Sequence, residues 1–276
     1  MRRFFLCADA FISSFIGLFL FFFPNIAADF IFQRKSDGVH WHLLRCIGGQ
    51  LLGGASLAFR LRNSSADTVA ACYVTRVLGG TLSLMLIFHC KIMTPNLVTH
   101  QYVQLAIYAF GVSVTLHLLF HIFSGWQVAQ NQSRESRFVL VLYQLDSLAS
   151  IAIGATWMTF PKWLLHRQVK FTLDESHELC GRFMGVFFIA YFIIGSYVMY
   201  WKNPYDRYAA VDSRVLVCIS ILAAQVWSQL MYTEDWGSGH WIGISLFSTW
   251  TTICILYRIY VFCMADKRQS LHSKNQ

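Results

Sequence analysis

Charge is what this sequence has least of. Asp, Glu, Lys and Arg make up 13% of its 276 residues, against 56% hydrophobic and 16% aromatic, which is too little charge to clothe a soluble domain of this length. Sequence signatures of chemistry are also missing: there is no Gly-rich phosphate loop, no nucleophile elbow and no HExxH metal motif. The eight cysteines, at positions 7, 46, 72, 90, 180, 218, 254 and 263, include no CxxC pair, so neither a disulfide framework nor a zinc site is implied. Cys7 and Cys263, near one membrane boundary, are palmitoylation candidates. No catalytic residue, cofactor or metal is assigned from these patterns.

What is present is a set of apolar runs. Eight approach or exceed the roughly 18–20 residues that cross a bilayer as a helix: Leu6–Phe23, Leu43–Phe59, Val69–Cys90, Tyr102–Ser124, Phe138–Phe160, Cys180–Tyr200, Val215–Met231 and Trp241–Phe262. They lack the period-two alternation of barrel strands, so helices are expected. The fold class is therefore all-α, a polytopic integral membrane protein.

The second half of the chain repeats the first at an offset of 137 residues. Asp9, Ser13, Ile16, Gly17, Phe23, Pro24, Asp37, His40, Arg45 and Gly48 recur as Asp146, Ser150, Ile153, Gly154, Phe160, Pro161, Asp174, His177, Arg182 and Gly185. The sequence thus predicts two four-helix modules, residues 1–126 and 138–265, joined by a polar connector over 127–137 and followed by a polar, unordered cytoplasmic tail over 266–276. The longest linkers are equivalent, Pro24–His42 and Pro161–Leu179. Because the first run aligns with an internal segment, it reads as a retained helix and not as a signal peptide. An even helix number per module makes the repeat parallel, with its axis along the membrane normal.

Basic residues set the expected orientation. Twelve fall on the side of the termini and six on the other, which puts both termini in the cytoplasm. On this reading the sequons at Asn63 and Asn131 face the cytosol and go unused. The net charge of +8 reports topology and attraction to anionic lipid, with nothing to support nucleic acid as a partner. Trp41, Trp126, Trp163, Trp201, Trp236 and Trp241 fall at helix ends, where an interfacial aromatic belt is expected.

Polar residues inside apolar runs are the functional candidates, because hydrocarbon makes them costly. Asp9 and Arg76 lie at similar depth on the first and third helices, as do Asp146 and Arg214 on the fifth and seventh. Each pair is expected to form an intramembrane ion pair that ties two helices together or relays a proton or cation. The pattern Asp-x2-His-x4-Arg-x2-Gly gives Asp37, His40, Arg45 and again Asp174, His177, Arg182 at the exoplasmic start of a helix. There Asp suits the positive helix end, and the His/Arg groups admit an anion or, beside Asp, a metal; His100 and His240 are possible additions. His117 and His121, four apart on one helix face, read as packing contacts. The leading expectation is translocation of a small solute or ion at or between the repeats. The alternatives are a non-enzymatic scaffold, assembly or lipid-interacting protein, and an intramembrane enzyme built on the exoplasmic His/Asp clusters.

Overall fold

The computed structural model describes residues 2–126 and 137–274, from 264 onward as backbone alone. Ten helices follow one another among the described residues: α1 (Arg2–Phe22), α2 (Pro24–Ile31), α3 (Gly38–Leu61), α4 (Ala66–Met93), α5 (His100–Phe123), α6 (Arg137–Thr159), α7 (Pro161–His166), α8 (Glu175–Val198), α9 (Pro204–Met231) and α10 (His240–Lys274). Seven, all but α2, α3 and α7, are long and apolar enough to cross a membrane.

The eighth expected crossing is not among them. The run that falls short is Leu43–Phe59, within α3, whose 24 residues also carry His40, His42, Arg45, Gln50 and Arg60. These polar residues are tolerable because α3 is an inner helix: His40, His42 and Gln50 are all buried, so neighbouring helices surround them in place of lipid. α3 runs antiparallel along α1, with Gly48 against Gly17 towards one end and Leu57 and Leu61 sharing a core with Leu6 at the other.

Local chemistry explains the boundaries. Pro24 and Pro161 stand at the first positions of α2 and α7, where a missing N–H costs nothing and the fixed φ suits a helix start; the expected linkers therefore contain short helices. Asp37 and Asp174 cap α3 and α8 with their side chains, and Asn203 caps α9 ahead of Pro204. Of the expected connector only Arg137 is described, so Asn131 lies outside the described residues. The tail expected to be unordered from Asp266 continues α10 as helix to Lys274. Two of the tryptophans expected at the lipid interface, Trp201 and Trp236, are buried instead, Trp236 because its indole donates to Ser228 Oγ at 2.7 Å.

Packing crosses the two halves of the chain. α1 lies along α3 and α6 along α8, but α3 then packs on α9 and α4 on α8, while α3 touches α4, and α8 touches α9, only sparsely. The two halves thus pack on each other through α3, α4, α8 and α9. Leu43, Leu44 and Ile47 of α3 meet Met184, Phe188 and Tyr191 of α8 and Val217, Ile221 and Ala224 of α9 in one core. Lipid tails are as apolar as these side chains, so close van der Waals packing holds such helices together, and small residues permit it. Gly49 and Gly53 turn to α9, where an added Cβ would lie 2.4 Å from Ser220 and 2.3 Å from Val217.

Candidate functional site

Two charged groups stand within the helical layer. Arg76 of α4 donates from Nε to Asp9 Oδ2 of α1 at 3.0 Å and from Nη2 to Ser13 Oγ at 2.7 Å. Arg214 of α9 makes the same two bonds to Asp146 and Ser150 of α6, again at 3.0 and 2.7 Å. Each serine lies one helical turn after its aspartate, so one guanidinium reaches both. The fifth and tenth helices complete the groups differently: His117 Nε2 lies 3.7 Å from Asp9 Oδ1, whereas the Trp250 indole donates to Asp146 Oδ1 at 3.1 Å. Arg214 also lies over the rings of Tyr191 at 4.9 Å and Trp250 at 5.2 Å, and its buried Nη1 has no hydrogen-bond partner.

Each group borders a cavity of about 390 Å³. The one at Arg214 is bounded by α6, α8, α9 and α10 and lined by Leu145, Ile153, Ile194, Leu246 and Ile253 around the polar patch. Leu145, Leu246 and Ile253 are 56%, 52% and 49% exposed, so this cavity opens sideways through the outer wall between α6 and α10. The cavity at Arg76 carries Gln50 and Thr75 as well. Both side-chain atoms of buried Gln50, and the Thr75 hydroxyl, lack hydrogen-bond partners. Tyr191 lines both cavities.

A third group joins the N-termini of α3 and α8. Asp37 Oδ1 accepts from the backbone N–H of Val39 at 3.0 Å and His40 at 3.2 Å, and Asp174 Oδ1 accepts from Ser176 at 2.9 Å and His177 at 3.3 Å. The histidines then reach across. His40 Nε2 contacts Ser176 Oγ at 2.7 Å, and His177 Nε2 contacts Asp37 Oδ2 at 2.9 Å, leaving the two rings 3.8 Å apart. Arg34 reaches the cap of α8 at Asp174 and Glu175, at 3.1 and 2.7 Å.

Burial alone would raise the Asp37 carboxyl, but the hydrogen bonds of His177 and His40 override it and hold Asp37 well below the usual carboxylate range. Asp174 is depressed likewise, burial being outweighed by Ser176 and Arg34. Asp235 moves the other way, raised by burial and by the charge of Asp37.

The remaining candidates disperse. Arg45 lies over the Trp227 ring of α9 at 5.8 Å, while Arg182 donates to the Met158 carbonyl at 2.9 Å and faces Glu178 at 3.7 Å. His240 stacks on Trp236 at 3.8 Å and pairs with Gln229, and His100 stays with Gln104 at the surface, so neither joins the His40–His177 group. His121 packs on Trp126. Ser13, Ser150, Ser176 and Trp250 were missed as site residues. The first two carried a signal, since both stand among the repeated identities one turn from the aspartates.

Helices of this length and apolarity around half-buried charge pairs define a class, the multi-pass helical membrane proteins. Residues 7–259 match the family described as "Domain of unknown function (DUF8292)", and the chain belongs to it. Neither the curated proteins nor the solved structures contain a match.

Proposed function

We propose that the protein binds an amphipathic, lipid-soluble molecule in its lateral cavities, as a lipid-interacting membrane protein of two parallel four-helix modules. α3 is read as an eighth crossing because it accompanies α1 along its length, and both termini are assigned to the cytosol from the distribution of Lys and Arg. The observation that carries the reading is the cavity at Arg214: an apolar chamber whose wall is exposed at Leu145, Leu246 and Ile253 and whose lining includes the Arg214 side chain beside Asp146. Such a chamber takes an apolar body from the side and an acidic or hydrogen-bonding head at the Arg.

Translocation of a small solute or ion between the modules has less support, since Leu43, Ile47, Phe188, Val217 and Ile221 fill the space between α3, α8 and α9. Photo-crosslinking in nanodiscs with a diazirine-bearing long-chain fatty acid tests the proposal. Labelling of α6 and α10 should be saturable, competed by unlabelled fatty acid, and lost in Ala149→Trp, which fills the cavity without touching the charges. Unsaturable labelling, or labelling unchanged in folded Ala149→Trp, would refute it.

A further inference from the structure

We propose that Asp37, His40 and His177 bind a divalent transition-metal ion of the zinc type, which clasps α3 to α8. One ligand atom from each of the three residues lies within 4.8 Å of the others. The Asp37 carboxylate is the common neighbour, at 3.0 Å from His40 Nδ1 and 2.9 Å from His177 Nε2. Around a tetrahedral zinc with bonds of about 2.0–2.1 Å, adjacent ligand atoms stand roughly 3.3 Å apart, so small side-chain shifts admit the ion.

The rings converge on one carboxylate: His40 Nδ1 and His177 Nε2 both face Asp37, and the ring centres stand 3.8 Å apart. A metal takes both imidazoles in the neutral form.

The surroundings suit an ion there. Asp174 meets His177 Nδ1 with its carboxylate at 2.8 Å and its backbone N–H at 3.2 Å, and the Ser176 hydroxyl meets His40 Nε2 at 2.7 Å, so each ligand ring is oriented by an outer partner. Asp37 is 32% exposed at its side chain, which gives the ion an aqueous approach and leaves a fourth position to solvent. The positive ends of α3 and α8 oppose a cation, but Asp37 and Asp174 already cap them, and Glu175 adds a further carboxylate beside Arg34.

The test uses the full-length protein in detergent, loaded with Zn²⁺ or Co²⁺ and dialysed against metal-free buffer. One zinc per chain should remain, Co²⁺ should show the visible bands of a tetrahedral N/O site, and zinc should raise the thermal midpoint. His40→Ala and His177→Ala should each lose the ion, whereas His100→Ala keeps it. Asp174→Asn removes no ligand, yet affinity should fall about 10–100-fold. Substoichiometric zinc in the folded protein overturns the proposal, as does undiminished zinc in the double variant His40→Ala/His177→Ala. Where the alanine variants do not fold, the Co²⁺ spectrum and the affinity of Asp174→Asn decide.

Discussion

Gly17 and Gly48 hold α1 and α3 in backbone contact: a Cβ added at Gly48 would lie 2.6 Å from the Gly17 carbonyl oxygen. Gly154 and Gly185 do the same for α6 and α8, with a Cβ at Gly185 lying 2.7 Å from the Gly154 oxygen. Neither oxygen can yield without moving a helix. Gly48→Ala and Gly185→Ala should each destabilise by about 1–3 kcal/mol, the usual cost of overpacking. Gly111, with nothing within 4 Å of an added Cβ, is the control, and Gly111→Ala should be neutral or stabilising by up to about 1 kcal/mol. Thermal melts in detergent separate these outcomes, and equal behaviour of all three variants would show that close approach is not what the first two glycines supply.

The ion pairs should respond to neutralisation non-additively. Removing one partner leaves a charge in a low-dielectric setting, at a cost of a few kcal/mol, whereas polar coupling in bilayers averages about 0.6 kcal/mol. Asp146→Asn or Arg214→Gln alone should therefore lower folded yield more than the two together, and Asp9→Asn with Arg76→Gln should follow the same order. A double variant worse than either single would argue that each residue acts independently.

Acid should loosen the joint between α3 and α8. Asp37 and Asp174 are held below their ordinary value of 3.8 in the folded protein. The folded state thus favours their charged forms, and their contribution is present above about pH 4 and is lost as pH falls below it. With EDTA present to remove bound metal, the thermal midpoint should drop between pH 5 and pH 3, and the drop should be smaller in Asp37→Asn. A midpoint flat over that interval would contradict the sign argued here.

Crossing number has a direct readout. If α3 spans, eight crossings return both termini to one face; seven would place them on opposite faces. Tags at both ends should be reachable from the cytosol alone, and Asn63, in the turn between α3 and α4, should carry no glycan. A glycan at Asn63 would invert the orientation, and tags on opposite faces would remove α3 from the crossings.

Much of the architecture is a local property and could be read along the chain. Apolar runs specify spanning helices because each must satisfy its own backbone in lipid, and proline and aspartate mark where helices start. α3 shows where this breaks down. Its histidines and Gln50 lower its apolarity, and only the surrounding helices explain why they are tolerated. Trp201 and Trp236 show the same limit: position at a helix end does not reveal whether lipid or protein covers the ring.

By itself, then, the sequence determined the helical membrane class and the depth of Asp9, Arg76, Asp146 and Arg214 along their helices, because hydropathy and a rise of about 1.5 Å per residue are properties of single segments. Tertiary structure alone decided the partners. That α3 packs on α9 and α4 on α8, that His40 meets Ser176 and His177 meets Asp37, and that His117 and Trp250 finish two otherwise matching charge groups all depend on which helix faces meet. Those choices come from side-chain shape summed over the whole bundle, and no single helix encodes them.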